Sequence, residues 1–143
     1  SDKPMIFVAG GTGFAPIKAM LEHAFAEHTD RELVLYWGVR ALKDLYMAEL
    51  PQRWQAERPN FTFIPVLSDP APADAWQGRT GFVHKAVLAD FADLSGYQVY
   101  ACGAPAMVDS AREAFTRTRS LPEDAFFADA FSYAMDAETT PAA

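Results

Sequence analysis

Apolar and polar positions follow two different periods along this chain, and the switches between them mark its elements. Met5–Ala9 is an unbroken apolar run, closed by Gly10-Gly11-Thr12-Gly13. From Pro16 to about Ala26 the apolar residues Ile17, Met20, Leu21, Ala24 and Phe25 recur at helical spacing. Leu33–Trp37 reads as a second strand, ended by Gly38. Leu45 to about Glu57 reads as a helix that Pro51 kinks or splits. Phe61–Leu67 is a third strand, whose Pro65 belongs near its end or at an edge. Ser68–Gly81, rich in Pro, Ala and Asp, reads as a long loop. A helix over Phe82–Phe91, a strand over Val99–Cys102, a helix over Ala106–Arg119 and a short strand over Ala125–Ala128 complete the order. The tail Asp136–Ala143 is small and polar, and is expected to fray.

Strands that are continuous apolar runs, alternating with helices, signal a parallel sheet covered on both faces. A length of 143 residues suits one domain. An apolar share of 50% with 13% aromatics is enough for a packed core. With 19 acidic against 12 basic residues the net charge is −7, which argues against nucleic acid or an anionic membrane as partner. Cys102 stands alone, so there is neither an internal disulfide nor a Cys-based zinc site. A lone thiol fits a reducing compartment, and the expected location is cytoplasmic. No apolar run approaches the roughly 18–20 residues that span a bilayer. Ser1-Asp2-Lys3-Pro4 leads straight into a strand with no basic leader, which reads as a domain cut from a longer protein.

The strongest chemical signal is Gly10-Gly11-Thr12-Gly13-Phe14-Ala15-Pro16. It follows a strand and opens a helix. Glycines there let backbone N–H groups approach a phosphate, and the helix N-terminus adds positive potential. A tight turn without a ligand is the competing reading. Pro16 stands where a dinucleotide fingerprint has its third glycine, and no acidic residue ends the second strand. That strand ends instead in Tyr36-Trp37-Gly38-Val39-Arg40. Arg40 could meet an adenosine phosphate or stack on adenine, or be a solvated surface arginine. A second strand-to-helix turn, Cys102-Gly103-Ala104-Pro105-Ala106-Met107, falls on the same carboxyl edge, where open α/β sheets bind ligands. The two turns could frame one crevice. Cys102 is also compatible with a small core residue; a nucleophile would need a base or cation nearby, and only His84 is a candidate. His23 and His28 do not share a helix face, so no metal site is expected. Lys18 follows Pro16-Ile17 without the Ser or Thr of a phosphoryl-transfer loop, which excludes that class.

Taken together and in register, these motifs resemble the nicotinamide-dinucleotide domain of the ferredoxin–NADP reductase superfamily. The matching segments are Gly11–Pro16, Tyr36–Arg40, Asp44-Leu45-Tyr46, Val66-Leu67-Ser68, Gly78–Val83, Cys102-Gly103 with Met107, and Phe126–Phe131. They are similar above all to NAD(P)H-flavin reductases and CDP-6-deoxy-glucoseen reductase-like proteins. The resemblance implies a five-stranded parallel sheet with helices on both faces, a Rossmann-like domain over residues 4–131, followed by the tail 132–143. It implies that Gly11, Thr12 and Gly13 hold the pyrophosphate and approach the nicotinamide end, with Arg40 and Ser68 near the adenosine, and that Gly10, Pro16, Gly38 and Pro105 also belong to the cofactor-binding residues. It places Thr12 and Cys102 at the reacting end, Cys102 beside the nicotinamide C4 as a shaper of the hydride path. Gly103 and Met107 line the same wall, and Phe131 resembles an aromatic near the flavin side. The family's Arg-x-Tyr-[Ser/Thr] flavin motif does not occur in this chain, and neither does a cysteine cluster for an iron–sulfur centre. FAD, and a [2Fe-2S] centre where one exists, would therefore sit in other domains of the full protein or in a downstream acceptor. Between the dinucleotides the expectation is NADH, because Asp44 beside Arg40 and Lys43 would repel a 2′-phosphate if it pointed inward. The competing function is a non-redox nucleotide-binding or regulatory module.

Overall fold

The computed structural model describes residues 2–130; Phe131 and the expected tail at 132–143 lie outside the described residues. Six strands form one sheet in the order β4-β3-β2-β1-β5-β6. They are β1 (Met5–Gly10), β2 (Leu33–Val39), β3 (Phe61–Leu67), β4 (Arg79–Thr80), β5 (Gln98–Gly103) and β6 (Phe126–Ala130). Every pairing among them is parallel. The expected count of five is thus corrected to six. The extra strand is two residues long and pairs only with Val66 and Leu67, inside the stretch read as a loop. It has no apolar run of its own, so nothing local announces it. Pro65 sits just before the β4 pairing begins, where β3 is still an edge and a missing N–H breaks no ladder bond.

Four helices cover the sheet: α1 (Phe14–Ala26), α2 (Glu49–Glu57), α3 (Val83–Asp90) and α4 (Pro105–Thr118). Alternate strand residues face opposite helix layers. Phe7, Ala9, Leu35 and Trp37 pack with Phe14, Ile17, Leu21 and Trp54 of α1 and α2. Ile6, Val8, Tyr36 and Val66 pack with Val83, Val87, Val108 and Phe115 of α3 and α4. Pro51 neither kinks nor splits its helix. The helix begins at Glu49, so Pro51 lies in the first turn, where its absent N–H has no intrahelical partner to lose. Strand β2 runs on through Gly38 to Val39 rather than stopping at Trp37, and this carries Arg40 to the sheet's edge.

The chain builds outward from β1 through β2, β3 and β4, then returns to place β5 and β6 on the other side of β1. The order therefore reverses between β1 and β5. Both turns singled out in the sequence leave the carboxyl ends of those two strands.

Candidate functional site

The turn after β1 is a single 3-10 turn, Gly11–Gly13, running directly into α1. Gly11 has φ +56, which disfavours a side chain. Gly13 is required for another reason: a Cβ there would collide with the carbonyl of Cys102. The first turn is thus pressed against the end of β5. From below, the fully buried Trp37 donates its indole N–H to the Gly11 carbonyl at 2.8 Å. Phe14 stacks on Trp37 with centroids 4.2 Å apart, and Tyr46 meets the same indole edge-on at 5.2 Å. An aromatic layer therefore fixes the glycine turn.

The turn after β5 leads through Gly103 and Ala104 into α4, with Pro105 as its first residue. Proline is favourable there because its φ is preset and no N–H is wasted. Met107 closes the gap between the turns. A Cβ on Gly10 would stand 3.0 Å from Met107 Cε, and one on Gly103 would stand 2.8 Å from it. The N-terminus of the 14-residue α4 faces the opening, with partial positive charge on its unpaired N–H groups.

The two turns open onto one cavity of about 970 Å³, which runs along the carboxyl edge of the sheet. Of the residues expected to bind cofactor, Gly10, Gly11, Thr12, Gly38, Arg40, Ser68, Pro105 and Met107 stand in its lining. Gly13, Pro16, Cys102 and Gly103 are not in the lining. Gly13, Cys102 and Gly103 are buried and form the layer beneath it. Burial, and then the Asp129 carboxylate, push the Cys102 thiol up to about 11. It stays protonated at neutral pH and is no nucleophile. His84, the candidate base for that thiol, stands in the cavity wall instead. Burial and the neighbouring Lys85 lower its pKa, so the ring is neutral at pH 7. Phe131 falls outside the described residues.

Several lining residues were not anticipated. Phe82 is 63% exposed and stacks against His84, with ring centroids 6.2 Å apart. Tyr46 is 49% exposed at the opposite wall, and Ser110 on α4 completes the lining. Exposed aromatics beside a cavity are the one available signal, and exposure cannot be read from the sequence.

Charged groups gather at one end, where β2 and β3 release the chain. Arg40 pairs with Asp69 at 3.3 Å, and the Asp69 N–H donates to the Arg40 carbonyl at 2.8 Å. Asp44 accepts from the Ala41 N–H at 3.2 Å. Asp74 accepts from Leu42 at 3.2 Å and from Ala71 at 2.9 Å. Behind this rim, Arg79 reaches Asp90 at 2.9 Å, and the buried Tyr36 hydroxyl donates to the same carboxylate at 2.5 Å. Burial opposes the charge on Asp90, yet its bonds from Arg79 and Tyr36 hold the carboxyl below the usual range. Among the described residues no group of three or more His, Cys, Asp or Glu could hold a metal ion. No helix among them is long and apolar enough to cross a membrane.

A doubly wound sheet with a glycine turn and a helix N-terminus framing a crevice at its switch point defines a class: the α/β domains that bind nucleotides there. Residues 7–113 match the family model described as the oxidoreductase NAD-binding domain, and the chain belongs to that family. It is 44% identical over 128 residues to CDP-6-deoxy-L-threo-D-glycero-4-hexulose-3-dehydrase reductase of Yersinia pestis, covering 90% of this chain and 38% of that protein. It is 38% identical over 133 residues to NAD(P)H-flavin reductase of Vibrio harveyi, covering 93% and 55%. The solved structure of the cytochrome P450 reductase GcoB from Amycolatopsis superposes with a TM-score of 0.81 at 38% identity, covering 92% of this chain and 38% of that one. The chain thus spans between about two fifths and just over half of the relatives it resembles. The fold is that of the ferredoxin–NADP reductase type.

Proposed function

We propose that residues 4–131 form the NAD(P)H-binding domain of a larger, cytoplasmic flavoprotein reductase. The observation that carries this reading is the convergence of both strand-to-helix turns on one cavity at the switch point of the sheet. Gly10, Gly11 and Thr12 offer backbone to a pyrophosphate at a place where Gly11 needs φ +56 and the α4 N-terminus adds positive potential. Gly38, Arg40 and Ser68 serve the adenosine end, and Phe82 and Tyr46 offer it aromatic faces. Thr12, Pro105 and Met107 border the nicotinamide end. Gly13, Cys102 and Gly103 act from beneath by setting how closely the two turns approach, and Pro16 lies in the first turn of α1, outside the lining.

When bound there, NAD(P)H would supply hydride chemistry toward a flavin in an upstream domain, with an iron–sulfur centre or an acceptor protein beyond it. One relative is an NAD(P)H-flavin reductase, and both relatives are longer than this chain, which supports a flavin carried elsewhere in the full protein. This chain's own contribution is to hold the dinucleotide at a fixed distance and angle. Titration of the chain with NADH and NADPH, followed by tryptophan fluorescence or calorimetry, tests the reading. Saturable binding of a dinucleotide at one site is the expected result. Absence of binding, both in this chain and in the full-length parent, would overturn it.

A further inference from the structure

The wall between the two turns is closed by a thioether. Met107 stands in the first turn of α4 and lines the cavity. Its methyl carbon fills the space that a side chain on either Gly10 or Gly103 would need. One methyl thus keeps both turns in place, and a change at the neighbouring sulfur is felt by both.

The sulfur is also within reach of small solutes. Met107 is half-buried, packed on one side against the layer of α3 and α4 and open on the other to the cavity of about 970 Å³. Met5, Met20 and Met47 pack in or against the opposite layer and do not line the cavity. Cys102, the other sulfur near the turns, is fully buried, and its thiol stays protonated, whereas peroxide reacts with the thiolate.

We propose that Met107 is an oxidation site: hydrogen peroxide entering the cavity converts its thioether to the sulfoxide, and dinucleotide binding weakens until a methionine sulfoxide reductase reverses the change. This rests on the dinucleotide reading above. In the step, the sulfur lone pair forms a bond to one peroxide oxygen and the O–O bond breaks. The proton on the transferred oxygen passes to the departing hydroxide, giving water. Sulfur is oxidised by two electrons and the peroxide is reduced. The new oxygen is carried by the atom next to the wedged methyl. Turned inward, it would enter an apolar layer beside Val108 and Ala111 with no donor to meet it. Turned outward, it accepts from the unpaired N–H groups at the start of α4 and takes from a phosphate what those groups offer.

The test treats the chain with hydrogen peroxide, removes the excess with catalase, and maps sulfoxide at each methionine by peptide mass spectrometry. Calorimetry on the same samples gives dissociation constants for NADH and NADPH, and circular dichroism checks the fold. Affinity should fall about tenfold or more as Met107 converts, the scale of one hydrogen bond to a charged group. Reductases acting on the two sulfoxide epimers should restore it. Met107→Leu keeps an apolar wedge without sulfur, so peroxide should leave its affinity at its own starting value. Unchanged affinity with Met107 fully converted overturns the inference and leaves nucleotide binding standing. So does a Met107 spared by a dose that oxidises free methionine in the same tube, or a Met107→Leu chain that loses as much as the unaltered one. Affinity lost together with the circular dichroism signal also overturns it, since the fold rather than the site has then been oxidised. A folded, untreated chain that binds neither dinucleotide, alone or within its full-length parent, removes the dinucleotide reading and this inference with it.

Discussion

The two ends of the cavity are built on different principles. At the switch point, the turns after β1 and β5 touch through backbone, with Gly13 against the Cys102 carbonyl and Trp37 clamping Gly11 from below. At the rim, exposed side chains on turns and loop ends meet through ion pairs and single hydrogen bonds. The first end has no room to vary; the second has little else but room. A part common to every dinucleotide, the pyrophosphate, suits the rigid end. The rim is the end where one substitution changes charge without disturbing the fold.

The sharpest way to break this comparison is at the glycines. Gly13→Ala drives a methyl into backbone that cannot rotate away, and should cost about 3 kcal/mol or more, with loss of nucleotide binding. Gly11→Ala meets nothing within 4 Å and suffers only its φ of +56, about 1–2 kcal/mol. Urea denaturation of the two variants gives the ordering. Equal costs would mean that conformation, not close approach, governs the rigid end.

Next in size is Trp37→Phe. It removes the N–H bonded to the Gly11 carbonyl and leaves a void in a fully buried layer, together about 2–3 kcal/mol. Dinucleotide affinity should fall as well, because the Gly10–Thr12 backbone loses its clamp. If stability falls and affinity does not, the turn is positioned by Gly13 alone.

How far this division was readable beforehand follows the same line. Met5–Ala9 and the Gly10–Gly13 turn are local signals, and so is the Gly103–Pro105 turn, so the rigid end was legible. Its depth was not: that Cys102 lies beneath the cavity while His84 stands in its wall depends on which side of the sheet each helix takes. β4 escaped notice because two residues carry no periodicity, and their pairing with Val66 and Leu67 is a contact between segments distant in the chain. Arg40 and Asp44 were visible as charges. That Asp44 turns back to Ala41, and that Asp69 pairs with Arg40, depends on loop paths that composition does not encode. Phe82 and Tyr46 look in sequence like any other aromatics.

The smallest expected effect concerns what holds the rim in place. Arg79 and Tyr36 hold Asp90, and Arg79 lies just ahead of the lining residues Gly81 to His84. The Asp90 carboxyl titrates below its ordinary 3.8 in the folded chain. Its contribution to stability is therefore complete above about pH 4 and fades as the pH falls through that lowered value. Tyr36 does not titrate in this range, since burial and the Asp90 carboxylate both raise its pKa, so it remains a donor throughout. Asp90→Asn should consequently be less stable than the unaltered chain at pH 7, and the gap should narrow on acidification below about pH 4. Chemical denaturation at several pH values measures that gap. A gap that stays constant with pH would mean that shape, not charge, seats Arg79, and the contrast between a packed end and an electrostatic end would then stop at the outermost residues of the rim.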